Sequence, residues 1–207
     1  VDFNPGTAVN NLINSGAFVA KLNSNGDYVW AVSFSKPTLL TISPIGYSLA
    51  LDNANNIYTG GKFSNSAMWS PLGSYVLNDY GHDTIAAYAS KISTTAVLKW
   101  AYNSVSSIDK YPTTIQLDTV GNVYSSGVYS SNVDFDPSLS TTYIMPSLEQ
   151  NQRTYLSKLD ATGNFIWALN FKDYLVGSVH IDQAGNSFVA GTFTGTVDMD
   201  PGPGISN

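Results

Sequence analysis

Apolar and polar residues alternate along this chain in short bursts. Segments of five to eight residues rich in Val, Ile, Tyr, Phe and Trp are separated by clusters of Asn, Asp, Gly and Ser. Such alternation puts successive side chains on opposite faces, so each burst predicts a half-buried strand. No stretch of a dozen residues carries a helical period. Between the bursts stand Asn25-Gly26, Gly121-Asn122, Gly163-Asn164 and Gly185-Asn186. These residues tolerate positive φ and predict tight hairpin turns.

The pattern repeats. Lys21-Leu22-Asn23-Ser24-Asn25-Gly26-Asp27-Tyr28-Val29-Trp30 returns as Lys158-Leu159-Asp160-Ala161-Thr162-Gly163-Asn164-Phe165-Ile166-Trp167, with a worn copy from Lys91 to Trp100. A second block, Leu51-Asp52 through Gly61-Lys62-Phe63, recurs from Leu117-Asp118 to Tyr129 and from Ile181-Asp182 to Phe193. Its aspartates are 66 and then 64 residues apart. A third block is Val1-Asp2-Phe3-Asn4-Pro5-Gly6, Val133-Asp134-Phe135-Asp136-Pro137 and Val197-Asp198-Met199-Asp200-Pro201-Gly202. The copy at Ala67-Met68-Trp69-Ser70-Pro71 keeps the proline and an aromatic but has lost both acidic or amide residues. Self-similarity at this period signals a stacked array of one supersecondary unit.

Each unit supplies four strands, placed in the middle unit at residues 113–118, 122–129, 154–159 and 165–171. Four antiparallel strands per repeat predict an all-β fold, a β-propeller built of four-stranded blades. The repeats run 1–66, 67–132 and 133–196, with a fourth starting at 197–207. The chain opens on the third and fourth strands of one blade and ends on the first and second of another. Three blades make too tight a ring, so residues 1–207 are expected to be part of a larger propeller continuous with further blades. A three-bladed ring closed by its terminal half-blades is the alternative. Trp30, Trp100 and Trp167, with Tyr58, Tyr124 and Phe188, are expected to fill the space between neighbouring sheets. Gly61, Gly127 and Gly191 are expected where backbones approach closely. Thr94-Thr95-Ala96 lacks the turn glycine, which predicts a longer or less regular hairpin there.

Composition narrows the class. Hydrophobic residues make up 43% and aromatics 13%, which rules out general disorder. Charged residues are only 12%, and Arg153 is the sole arginine. A net charge of −6 argues against nucleic acid or an anionic membrane surface as partner, since both demand clustered basic residues. No apolar run reaches the length of a membrane span, so direct insertion is not expected. With no cysteine there is no disulfide, thiolate metal site or cysteine nucleophile.

The quoted blocks resemble the bacterial β-propeller repeats of the SBBP type. There, Asp-x-x-Gly-Asn-x-Tyr-x-x-Gly-x-Phe alternates with Phe-x-x-Lys-Leu-x-x-x-Gly-x-x-x-Trp, and Val-Asp-Phe-Asp-Pro-Gly insertions mark large secreted proteins of Bacteroidetes-like bacteria. The resemblance covers essentially the whole chain. It implies a propeller and an extracellular or cell-surface location, including cargo of an export or adhesion system. It implies no particular activity.

The best candidate site is the acidic block. Asp134 and Asp136 lie two apart, as do Asp198 and Asp200, and Asp2 and Asn4. In an extended segment such pairs point the same way and could offer oxygen ligands to calcium. The competing reading is a turn in which each Asp holds backbone N–H groups. Asp52, Asp118 and Asp182 are read as turn caps. His82 and His180 are unrepeated and are read as surface or core residues. Ser33-x-x-Lys36 and Ser107-x-x-Lys110 match an acyl-transfer pattern at chance level. No Walker loop, nucleophile elbow, zinc-protease or dinucleotide motif occurs.

The reading is therefore a non-catalytic propeller module with no required cofactor, acting as scaffold or as a binding platform for protein or glycan at the cell surface. Tyr75, Tyr80, Tyr143 and Tyr155, in or near the connections 64–84 and 130–153, are candidate stacking residues. The alternatives are a lyase or hydrolase with a central-channel site including His180, or a calcium-stabilised stalk.

Overall fold

The computed structural model describes residues 2, 4, 12, 16–35, 43–64, 66–70, 75–78, 85–104, 111–138, 140–146, 153–171 and 174–200. All regular structure among them is strand. The first eight strands are β1 (Gly16–Leu22), β2 (Tyr28–Ser35), β3 (Ile45–Leu51), β4 (Ile57–Ser64), β5 (Ser66–Ser70), β6 (Val76–Asn78), β7 (Ile85–Ile92) and β8 (Leu98–Ser104). Then come β9 (Tyr111–Leu117), β10 (Val123–Tyr129), β11 (Val133–Asp134), β12 (Ile144–Met145), β13 (Arg153–Leu159), β14 (Phe165–Phe171), β15 (Tyr174–Ile181) and β16 (Ser187–Phe193).

They form four-stranded antiparallel sheets in the orders β1-β2-β5-β6, β3-β4-β7-β8 and β9-β10-β13-β14, plus the pairs β11-β12 and β15-β16. The strands expected of the middle unit coincide with β9, β10, β13 and β14 to within two residues. No closed ring of sheets is formed among the described residues.

The six hairpins β1–β2, β3–β4, β7–β8, β9–β10, β13–β14 and β15–β16 use one turn. A polar residue ends the leading strand, and its side chain accepts two backbone N–H groups ahead of it. Asn23, Asp52, Ser93, Asp118, Asp160 and Asp182 fill that position. Three residues on, φ is positive: Gly26, Asn55, Ala96, Gly121, Gly163 and Gly185. The expected irregularity at Thr94-Thr95-Ala96 is therefore overturned. Ala96 takes φ 64° and donates its N–H to the Ser93 carbonyl at 3.0 Å, as the glycines do in their turns. The Ser93 hydroxyl and the closing strand pair hold the alanine in a conformation its Cβ disfavours.

The core lies between neighbouring sheets. Phe34, Phe63, Tyr88 and Ile92 pack the first sheet on the second. Tyr58, Ala89, Ile115 and Leu159 pack the second on the third. Trp30 and Trp100 are half-buried at these junctions. Trp30 donates its indole N–H to the Thr94 carbonyl of the next sheet at 3.0 Å. Trp100 lies against the Gly163 turn, where an added Cβ would stand 3.6 Å from its ring. Gly61 meets its expectation: a Cβ there would strike the Ile45 carbonyl and stand 2.6 Å from the Tyr88 ring.

The long connections fold too, which local alternation did not predict. In one, β5 pairs with β2 (Phe34↔Trp69) and β6 with β5. In the other, β11 pairs with β12. The two are equivalents: Ala67↔Leu77 and Val133↔Met145 are matching pairs, and Ala67 and Val133 are both fully buried.

Candidate functional site

Two features concentrate polar side chains, and they have different characters. The first is the row of turns that ends β3, β9 and β15. Asp52 Oδ1 accepts the N–H groups of Ala54 (3.0 Å) and Asn56 (2.8 Å), while Oδ2 accepts the Asn56 side-chain amide (2.8 Å). Asp118 repeats this with Val120 (3.2 Å) and Asn122 (2.9 and 2.7 Å). Asp182 repeats it with Ala184 and Asn186.

In the two complete units the same carboxylate gathers one residue from each of the next two strands of its sheet. Lys91 lies 3.4 Å from Asp52, and Lys158 lies 3.5 Å from Asp118. The Tyr58 and Tyr124 hydroxyls donate to these carboxylates at 3.3 Å. Each ammonium sits 4.7 Å from the centre of its tyrosine ring. Trp100 and Trp167 meet the same rings edge-on, at 5.9 and 6.0 Å. Partial burial alone would raise the Asp52 and Asp118 pKa values. Hydrogen bonds from Asn56 and Asn122, with the charges of Lys91 and Lys158, outweigh it and hold both below the usual carboxylate range. Burial would likewise lower Lys158, but Tyr124 and Asp118 hold it above its ordinary value.

The turns also bond to one another. The Asn53 amide donates to the Thr119 carbonyl (3.4 Å), the Thr119 hydroxyl to the Gln183 carbonyl (3.1 Å), and the Tyr124 hydroxyl to the Gly185 carbonyl (3.2 Å). Carboxylate, ammonium and phenol are thus spent on one another and on the adjacent turn. This row is the clamp of the array.

The second feature is a cleft at the junction of the second and third sheets. The acidic block makes it. Asp134 Oδ1 accepts the N–H groups of Asp136 (3.0 Å) and Tyr143 (2.8 Å). Asp136 Oδ1 accepts the Ser138 N–H (2.9 Å), and Oδ2 takes the Thr141 hydroxyl (2.5 Å). These two successive side-chain turns curl the backbone and end β11 after two residues. The matching residues Met68, Trp69 and Ser70 lack the acids, stay extended and pair with β2. Where the acids are present, β8 keeps its outer position as the last strand of its sheet. A cleft of about 390 Å³ opens there, lined by Trp100, Tyr102, Asp136, Ser138, Thr141 and Phe165. Burial would raise the Asp136 pKa slightly, and the Thr141 and Ser138 hydrogen bonds more than offset it, so the group is held low.

Asp198 and Asp200 form the same first turn, with the Asp200 N–H on Asp198 Oδ1 at 3.0 Å, and Asn4 does so on Asp2. Among the described residues no group of three or more His, Cys, Asp or Glu side chains converges as a metal cluster would. The oxygens of Asp134 and Asp136 that carry these bonds face N–H and O–H donors, as the turn role requires.

Of the other candidates, His180 is exposed on β15. His82, Tyr80, Lys36, Ser107 and Lys110 lie outside the described residues. Tyr155 is buried in the third sheet against Tyr129 and Phe135, so it is a core residue and not a stacking platform. Tyr75 and Tyr143 prove to be one repeated position. Their hydroxyls donate to the carbonyls of Ala101 (2.6 Å) and Ala168 (3.2 Å), each following the repeat tryptophan. They tie each connection to the fourth strand of its own unit. The signal was present as Tyr75-Val76-Leu77 against Tyr143-Ile144-Met145.

The chain matches no protein-family model and no curated protein.

Proposed function

We propose that the sheets are blades of a β-propeller and that the chain is a non-catalytic binding module of a secreted or cell-surface bacterial protein, taking a glycan in the cleft between the second and third sheets. The cleft carries the reading. It sets the aromatic rings of Trp100, Tyr102 and Phe165 beside the Asp136 carboxylate and the Ser138 and Thr141 hydroxyls. Aromatic faces stack on the C–H surfaces of sugars, while carboxylates and hydroxyls bond their hydroxyl groups. Low charge and lack of cysteine agree with an exported protein, as does the resemblance of the repeats. The repeated acids are consumed in turns and clamps, which favours a scaffold over a central catalytic cluster.

The test is a panel of bacterial and host polysaccharides titrated against the chain, read by tryptophan fluorescence and calorimetry. At least one should bind, and Ser138→Trp, which fills the cleft from an exposed position, should abolish binding while the far-ultraviolet circular dichroism of the folded chain is retained. Saturable binding that survives Ser138→Trp, or no binding by any member of the panel, would overturn the reading.

A further inference from the structure

The lysine clamps show how this chain holds an ammonium group. At each clamp the nitrogen lies between a carboxylate and an aromatic ring. Lys91 stands 3.4 Å from Asp52 and 4.7 Å from the centre of the Tyr58 ring. Lys158 stands 3.5 Å from Asp118 and 4.7 Å from the centre of the Tyr124 ring. The charge meets its counter-ion on one side and the negative face of a ring on the other.

The cleft between the second and third sheets brings the same two partners together. Asp136 lines it with Trp100, Tyr102 and Phe165. The rings stand in close pairs. Trp100 and Tyr102 on β8 have centroids 5.8 Å apart, and Tyr143 backs Phe165 of β14 at 4.8 Å. Among the described residues that line the cleft none is lysine or arginine, so no side chain there supplies an ammonium. The Asp136 carboxylate has capacity left. It takes the Ser138 N–H and the Thr141 hydroxyl, whereas a carboxylate has about four acceptor positions. Asp118 sets the precedent: it accepts two backbone N–H groups, the Asn122 amide and the Tyr124 hydroxyl, and still holds Lys158. Further negative charge adjoins. Asp134 accepts the N–H of Asp136, and Asp160 accepts the side-chain amide of Asn164, which lines the cleft.

We propose that the glycan of this cleft is an amino sugar whose free ammonium sits between Asp136 and the aromatic rings, as in a glucosamine polymer that carries no acetyl groups. The inference rests on the glycan reading above and narrows it. A protonated sugar amine gives N–H donors to the carboxylate and its charge to the rings. N-acetylation keeps the sugar ring and its hydroxyls but removes that charge. A uronic acid instead sets a second carboxylate against Asp136 and is repelled.

Calorimetric titration of the whole chain with oligosaccharides of equal length decides the matter. The ligands are oligoglucosamine, its fully N-acetylated form and oligogalacturonate. A mildly acidic buffer keeps the sugar amine protonated, while Asp136, held below the usual carboxylate range, keeps its charge. Oligoglucosamine should bind about tenfold or more tighter than the acetylated form, and the uronate should not bind. Asp136→Asn should remove the preference. The asparagine oxygen can still accept the Ser138 N–H, and its amide can meet the Thr141 hydroxyl, so the turn is retained. Asp27→Asn removes an equal charge from an exposed turn of the first sheet and should leave the preference intact. That control separates the site from the general attraction of an acidic chain for a polycation.

Equal binding of the charged and acetylated oligomers would overturn the inference and leave the glycan reading standing; that comparison uses the unaltered chain, so misfolding cannot produce it. A preference that survives Asp136→Asn, or that Asp27→Asn abolishes, would overturn it too. So would binding of another glycan but of none of these three. Absence of binding by every glycan would overturn both readings.

Discussion

Lys158 and Asp118 meet at 3.5 Å across the third sheet, with the Tyr124 ring under the ammonium and the next turn against the Tyr124 hydroxyl. The pair therefore joins three strands of one unit to the neighbouring unit. Lys91 and Asp52 do the same one repeat earlier.

Asp118→Ala removes the acceptor of two backbone N–H groups, the Asn122 amide and the Tyr124 hydroxyl, and strands a half-buried Lys158. The expected loss is about 2–3 kcal/mol of stability, typical of removing hydrogen bonds to a charged group. Asp182→Ala removes the turn bonds alone and should cost clearly less. Urea unfolding of both variants measures the difference. Equal losses would show that the lysine clamp contributes nothing.

The same pair sets a pH window. Asp52 and Asp118 have lowered pKa values, so their contribution is complete above the unfolded carboxyl value near about 4 and is lost as pH falls through the folded values. Lys158 has a raised value, so its contribution is complete below about 10.4 and is lost as pH rises through its folded value. The urea midpoint should be flat between these limits and fall on both sides. Asp118→Asn should flatten part of each limb.

Ala96 holds φ 64° in a turn where four of its five equivalents are glycine. Ala96→Gly should stabilise the chain by about 0.5–1 kcal/mol, the relief of left-handed strain exceeding the added entropy of the unfolded glycine. Gly163→Ala, at φ 96°, should destabilise by a similar amount. Thermal denaturation of the two variants should shift Tm in opposite directions.

Calcium provides a test of the acidic block. If Asp134 and Asp136 serve as turn acceptors, millimolar calcium and a chelator should give the same melting temperature. A rise with calcium that disappears in Asp136→Asn would establish a metal site, because a ligand held only by the folded state stabilises it.

Strand positions were legible because alternation and turn residues are local properties. The middle unit's four strands and the close approach at Gly61 followed from them. The Lys–Asp clamp was not read, although Lys91 and Lys158 recur 39 and 40 residues after Asp52 and Asp118. Its signal is a spacing between two blocks that were considered separately. The pairing of β5 with β2 was invisible for another reason. Met68-Trp69-Ser70 becomes a strand because the edge at Ser33–Ser35, made far earlier in the chain, is waiting for it, and no local pattern records that. The cleft depends on the same contrast: two aspartates curl one connection away from an edge that the other connection covers.

The path through the first two sheets has a consequence for how they come apart. The chain leaves the first sheet at Ser35, lays down half of the second in β3 and β4, returns to finish the first through Asn78, then goes back to close the second with β7 and β8. The two are stitched by their own thread. During synthesis neither is complete until the end of its return strand has emerged, and under tension neither can be peeled off alone. They should yield as one event, while the third sheet, whose own four strands the chain completes without returning to an earlier sheet, yields as another.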